Sequence, residues 1–168
     1  DALYIMGQPP EEEAVIAEPF LENVIVFVAS PDHPLVGKRS IPLSRIAEEN
    51  VIRRELGSGT RQAVEKLFAA AGVDLATHME FGDSDAIKQG VISGLGVAYL
   101  SLHSLRLELA AGEIAVLDVE GFPLRRRWYA VHRKGKRLSN AARAFHDYLL
   151  TEGEQEVTKA DRGPVRWQ

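Results

Sequence analysis

Gly57-Ser58-Gly59-Thr60-Arg61 places two glycines, two hydroxyl side chains and a guanidinium where a loop runs into an amphipathic helix pattern. The first turn of a helix carries backbone N–H groups without intrahelical acceptors and the positive end of the macrodipole, so it attracts anions. Gly57 and Gly59 let the backbone approach a ligand closely. Ser58 can cap the helix or donate to the ligand, and Arg61 offers a fork suited to carboxylate or phosphate. The bland alternative is a helix cap with a solvent-facing arginine. Arg54 and Glu55 stand just before the loop, either as ligand contacts or as a structural ion pair. The chemistry is anion capture. No lysine precedes the hydroxyl residue as a P-loop requires, and no G-x-S-x-G elbow occurs. His33, His78, His103, His132 and His146 show no metal-ligand spacing along the chain, so neither a metal nor a catalytic residue is expected.

Composition narrows the classes further. The chain has 168 residues, 45% hydrophobic and 26% charged, with a net charge of −4 from 20 basic and 24 acidic side chains. It is long enough to bury a substantial core. An acidic balance argues against a nucleic-acid-binding module in this segment. Arg125-Arg126-Arg127 is a basic cluster without a stacking platform and reads as a solvated strand edge. With 0 cysteines, disulfide frameworks and thiolate metal sites are excluded. No apolar run approaches the ~18 residues of a membrane span. No signal peptide is visible, which favours the cytoplasm. The chain begins at Asp1 on a strand-like segment, so a fragment or processed product is expected, whose missing start could hide a leader.

The elements that must position these residues alternate in type. Strands are expected at 2–6, 15–20, 23–29, 51–52, 79–81, 97–100, 114–117 and 128–132, with a turn near Leu21-Glu22. Val24 to Val28 is continuously apolar, as in a strand covered on both faces. Helical stripes run from Thr60 to Ala71 through Ala63, Val64, Leu67 and Phe68, and after Asp83 or Ser84 through Ile87, Val91 and Leu95. Leu102–Ala111 reads as one helix, a short helical turn falls at 42–46, and a last helix capped by Ser139 turns Ala142, Phe145 and Leu149 inward. Pro9-Pro10 and Glu11-Glu12-Glu13 read as a solvated loop, and the polar tail from Thr151 as frayed. The alternation predicts an α/β fold with a largely parallel sheet. Val24–Ala29 and Trp128–His132 are candidate crossovers between two lobes.

Five stretches together resemble a known family. They are Ile5-Met6-Gly7, Ala29-Ser30-Pro31-Asp32-His33-Pro34-Leu35, Gly57 to Arg61, Ala86-Ile87-Lys88-Gln89-Gly90-Val91, and Gly94-Leu95-Gly96-Val97-Ala98-Tyr99-Leu100-Ser101. Their order resembles the effector-binding domain of LysR-type transcriptional regulators. Arg54-Glu55, Ile87-Lys88-Gln89, Leu100-Ser101-Leu102-His103 and Arg127-Trp128-Tyr129 resemble more narrowly the regulators of Calvin-cycle carbon-fixation (RuBisCO) operons. The similarity covers roughly residues 1 to 150.

The resemblance implies two Rossmann-like subdomains of periplasmic-binding-protein type, joined by two crossover strands, with an effector in the cleft between them. It implies a first subdomain represented only in part, by 1–29 and 126–151, a second at 30–125, and a polar tail at 152–168. The winged helix-turn-helix through which such regulators bind DNA is not in this chain. Effector contacts are implied at Gly57, Ser58, Gly59, Thr60 and Arg61, with Arg61 touching the ligand or supporting groups that do. Further contacts are implied at Lys88 and Gln89, Ser101 and His103, and Met6 and Gly7. Against these stand a solvated helix face for Lys88 and Gln89, a cap and a surface histidine for Ser101 and His103, and tight-turn geometry for Met6 and Gly7. The implied effector is a sugar phosphate, a phospho-acid or an NADPH-like metabolite, with no other cofactor. A homo-oligomer, dimer or tetramer in the intact regulator, is also implied, with the 60–71 helix as candidate pairing surface. A transporter's solute-binding protein and a dehydratase-like enzyme on the same scaffold remain alternatives.

Overall fold

The computed structural model describes residues 3–7, 9, 14–75 and 79–160. Ala2, Pro10, the acidic run Glu11–Glu13, His78 and the tail beyond 160 lie outside them. The chain divides into two compact units: one takes the chain up to Asn23 and again from Arg125, the other holds Val24–Leu124.

The second unit begins with the C-terminal half of a long strand, β2 (Val15–Ala29). There follow α1 (Leu43–Ala47), β3 (Val51–Arg54), α2 (Gly59–Ala70), β4 (Met79–Phe81), α3 (Ser84–Ile92), β5 (Val97–Ser101), a 3-10 turn (Leu102–Ser104), α4 (Arg106–Ala111) and β6 (Ala115–Leu117). β3 pairs parallel with both β4 and β5, through Ile52↔Met79 and Ile52↔Ala98. β2 pairs antiparallel with β5 and with β6, through Phe27↔Tyr99 and Phe27↔Leu117. The sheet is therefore mixed rather than largely parallel, which corrects the expectation from alternating elements. β2 enters without a preceding helical crossover in this unit, so nothing obliges it to run parallel.

Both faces of this sheet are covered. Ile25, Phe27 and Ala29 join Val51, Tyr99, Val64 and Phe68 in one core, whereas Val26 and Val28 join Ile52, Ala98, Leu100, Ile87 and Val91 in another. Side chains alternate faces along a strand, so the continuous apolar run of β2 feeds both cores, as its pattern predicts. Leu95 does not belong to the α3 stripe. It lies beyond the C-cap at Ser93 and is 44% exposed, because Gly94 adopts φ 73 and turns the chain away. The helix expected over 102–111 is interrupted at Leu105, whose side chain is buried where the 3-10 turn meets α4.

The first unit contains β1 (Tyr4–Met6), the N-terminal half of β2, β7 (Leu124–Arg133) from Arg125 onward, α5 (Asn140–Tyr148), a π-helical turn (Leu149–Gly153) and α6 (Glu154–Ala160). β7 lies between β1 and β2, and its pairing with β1 is antiparallel. β2 is one strand of 15 residues, so the turn expected at Leu21-Glu22 is absent. Phe20 and Leu21 are buried beside Ala130 and Leu149, and that burial keeps the strand extended through polar neighbours. Ser139 caps α5 by accepting from the Ala142 amide at 3.3 Å. Leu149 turns inward, but Phe145 is 50% exposed, contrary to the helical stripe. The chain beyond Thr151 is not a frayed tail as far as 160. It stays helical, and Val157 packs against the Phe20 cluster. Among the described residues no helix is long and apolar enough to cross a membrane.

Candidate anion-binding site

In the second unit, Arg54, Phe81 and Ser101 end the three parallel strands β3, β4 and β5. The first turns of α2 and α3 and the 3-10 turn at Leu102 follow them directly. Residues 54–61, 83–89 and 101–104 thus gather at the carboxyl edge, where open α/β sheets bind ligands.

The glycine loop is built from its own turn chemistry. The Ser58 amide donates to the Glu55 carbonyl at 3.2 Å, closing a four-residue turn with Gly57 third at φ 92. That position of a type II turn favours glycine. Ser58 then acts as the N-cap of α2, its Oγ accepting from the Arg61 amide at 3.5 Å. Ser58 is buried, Gly59 and Thr60 are half-buried, and Gly57 is exposed. The loop therefore presents a capped helix N-terminus at the strand edge.

Arg61 does not extend into solvent; its side chain is only 9% exposed. Nε donates to Glu65 Oε1 at 2.7 Å, and Nη1 donates to Glu80 Oε2 at 2.6 Å and to the Arg54 carbonyl at 2.9 Å. The Glu65 and Glu80 hydrogen bonds hold its pKa above the ordinary arginine value. Arg61 thereby ties α2 to β3 and β4. Arg54 forms a bidentate pair with Glu55, at 2.7 and 2.8 Å, and its Nη1 donates to Ser84 Oγ at 3.3 Å. The pair raises the Arg54 pKa and lowers that of Glu55. Asp83 caps α3, accepting from the amides of Ala86 and Asp85, and those two bonds lower its pKa.

Lys88 spans α3 and α4. Nζ sits 2.7 Å from Glu108 Oε1, 2.8 Å from Asp85 Oδ1, and donates to the Ser104 carbonyl at 3.2 Å. Burial opposes its charge, but the hydrogen bonds to Asp85 and Glu108 outweigh it and raise the pKa. Gln89 is exposed. Ser101 and His103 are half-buried, and the Ser101 carbonyl accepts from Ser104 Oγ at 2.7 Å. Met6 and Gly7 lie in the first unit. Met6 pairs with Tyr129 and is 37% exposed, and the Gly7 carbonyl accepts from Arg126 Nη2 at 2.9 Å.

Two features were not visible in the sequence spacing. Arg53 is buried on the α2 side of the sheet and donates Nη1 to Glu65 at 2.9 Å; its Nε and Nη2 and the Tyr99 hydroxyl have no hydrogen-bond partner among the described residues. Burial pushes the Tyr99 hydroxyl well above the ordinary tyrosine range. In the first unit, Glu18, His132 and His146 come together from three separate elements. Linear spacing signals neither group, although the i,i+4 step from Arg61 to Glu65 does announce its ion pair.

A doubly covered mixed sheet with capped helix N-termini along its carboxyl edge defines an α/β ligand-binding module. The LysR substrate binding domain model matches residues 3–154, and the chain belongs to that family. It is 53% identical over 150 residues to the RuBisCO operon transcriptional regulator of Acidithiobacillus ferrooxidans, covering 89% of this chain and 48% of that protein. It is 47% identical over 154 residues to the transcriptional activator CmpR of Synechocystis, covering 92% of this chain and 51% of that protein. The chain thus spans about half the length of these relatives. These relatives are transcriptional regulators, not enzymes. Among solved structures, the regulatory domain of CcmR from Synechocystis PCC6803, in complex with 2-PG, superposes with a TM-score of 0.82 at 45% identity, covering 89% of this chain and 72% of that one.

Proposed function

We propose that this chain is the effector-sensing part of a transcriptional regulator of carbon-fixation genes, and that its effector is a small phosphorylated acid such as 2-phosphoglycolate. The observation that carries the reading is the Gly57 turn and Ser58 cap, which set the α2 N-terminus at the carboxyl edge of the sheet. The ligand carried by the CcmR domain supports the choice of a phosphorylated acid.

In this reading Gly57, Ser58, Gly59 and Thr60 receive the anionic group. Arg61 and Lys88 act one step back: their charges are held by Glu65, Glu80, Asp85 and Glu108, so they fix the edge, and the positive potential comes from the helix N-terminus. Gln89, Ser101 and His103 border the same edge. Effector binding favours one of the regulator's pre-existing arrangements and so changes how its DNA-binding segments are presented. The regulator works as a homo-oligomer, with the outer face of α2, including Gln62 and Lys66, as the pairing surface.

The test is thermal stabilisation of this chain by 2-phosphoglycolate, sugar phosphates, NADPH and a non-phosphorylated carboxylate. Ligand at 100 times its Kd stabilises by about 2.7 kcal/mol. The expected result is a concentration-dependent rise in Tm with 2-phosphoglycolate that Ser58→Ala and Thr60→Val diminish. No rise with any phosphorylated compound overturns the reading.

A further inference from the structure

We infer that the first unit carries a binding site for a divalent transition-metal ion of the zinc class, formed by Glu18 on β2, His132 on β7 and His146 on α5. One ligand atom from each lies within 4.8 Å of those of the other two. His146 Nε2 stands 2.7 Å from Glu18 Oε2, and the two imidazole rings meet edge to face with centroids 5.5 Å apart.

The donor set is the first argument. Two imidazoles and one carboxylate suit Zn²⁺, Co²⁺ and Ni²⁺, which take nitrogen and oxygen ligands, far better than Mg²⁺ or Ca²⁺. Three protein ligands leave a coordination position for water. Ligands about 2.0–2.1 Å from a tetrahedral ion lie roughly 3.4 Å apart. The group therefore needs only to open the His146–Glu18 contact slightly and draw in the other histidine.

The second argument is how each imidazole is held. His146 Nδ1 lies 3.2 Å from Asp147 Oδ1, and His132 Nδ1 lies 3.2 Å from the Arg133 carbonyl. Each Nδ1 thus has an oxygen to which it can donate, which leaves Nε2 as the lone-pair nitrogen. Metal-bound histidines are oriented by this kind of outer hydrogen bond. An ion at His146 Nε2 takes the place of the hydrogen shared with Glu18, while Nδ1–H donates to Asp147.

The third argument is what the ion would join. α5 contains no buried residue, and Phe145 and Tyr148 are 50% and 47% exposed. His146 joins it to Glu18 and His132 on the sheet, with Leu149 buried just beyond its end. An ion ligated from β2, β7 and α5 pins the helix at that point. A cleft of about 500 Å³, lined by His132, Lys136, Arg137, Leu138 and Arg143, opens beside His132 and gives an entry path. Its basic residues oppose a cation, and Glu18 and Asp147 oppose them in turn.

The test is a Co²⁺ titration of the chain at neutral pH, read by visible absorption, followed by displacement with Zn²⁺. The expected result is one saturable equivalent with a ligand-field band, weakening as pH falls because protons compete for imidazole. Zn²⁺ should also raise Tm. His132→Gln and Glu18→Gln should each abolish the band, and Asp147→Asn should weaken binding about tenfold. No saturable band in the unaltered protein, which needs no variant to fold, overturns the site. So does a band that survives both His132→Gln and Glu18→Gln, since the metal would then sit elsewhere. Effector measurements made with a chelator present keep this result separate from the effector reading.

Discussion

Arg61 Nε lies 2.7 Å from Glu65 Oε1, one helical turn further along α2. The same oxygen accepts from Arg53 Nη1 at 2.9 Å. Arg61 has a second carboxylate in Glu80, whereas the Arg53 side chain, 5% exposed, pairs with no other among the described residues. Glu65→Ala therefore leaves a buried guanidinium without a counter-charge, at a cost of about 2 kcal/mol. Replacing Arg53 by Met in the same protein should recover most of that loss, because no buried charge then remains unpaired. Urea denaturation measures both. A loss below about 0.5 kcal/mol for Glu65→Ala would place it among ordinary surface changes and remove Glu65 from the framework of the site.

Gly57 separates backbone cost from steric cost. At φ 92 an L-residue is strained, yet an added Cβ would meet nothing within 4 Å. Gly57→Ala should lose about 1–2 kcal/mol through the backbone alone. Asn tolerates positive φ better and should lose less. The Tm rise with 2-phosphoglycolate should shrink in Gly57→Ala, as relaxation of the turn moves Ser58. If the two variants have equal stability, the turn has an alternative conformation.

The periodic and capped elements of this fold are legible in the chain. The Val64–Phe68 stripe, the Asp83 and Ser139 caps and the two-faced run of β2 follow from local chemistry acting over a few residues. Strand direction is not local, so the antiparallel entry of β2 beside β5 was hidden. Leu21-Glu22 reads as a turn, yet Phe20 and Leu21 find distant partners in Ala130 and Leu149 that keep β2 extended. The same limit governs the sites. Ser58 caps a helix that follows it immediately, and sequence identifies it. The partners of Arg61 on β4 and of His146 on β2 lie 19 and 128 residues away, and no spacing rule reaches them.

The Arg54–Glu55 pair makes stability depend on pH. Its hydrogen bond and charge lower the folded-state pKa of Glu55 below the ordinary glutamate range. A depressed carboxylate contributes stability above its unfolded pKa and loses it as pH falls through the folded value. The contribution should thus be complete at neutral pH, begin to fall near the ordinary glutamate value of about 4.3, and be lost once pH drops below the depressed folded value. Glu55→Gln should lower Tm near pH 7 and converge on the unaltered protein in acid. Because the side chain is 38% exposed, salt should also reduce the difference. A Tm difference that persists unchanged at pH 3 would trace the effect to packing rather than to charge.

Gly96, just before β5, and Gly90, within α3, should respond differently to the same methyl group. A Cβ on Gly96 would collide with the backbone carbonyl of Asn50, the group that accepts from the Val97 amide at 2.9 Å. Relieving that collision means parting β3 from β5 where Val51 and Val97 are in register. Gly96→Ala should therefore cost at least about 3 kcal/mol, the upper end of overpacking, and reduce the soluble yield. A Cβ on Gly90 would meet Ile52 Cδ1 at 3.0 Å, the end of a flexible side chain that can rotate away. Removing a glycine from the body of α3 returns about 1 kcal/mol of helix propensity. Gly90→Ala should then remain within about 1 kcal/mol of the unaltered protein. Circular dichroism melts of the two variants side by side decide the matter. Equal melting temperatures would show that β3 and β5 can separate at their amino ends, beside Asn50, without loss.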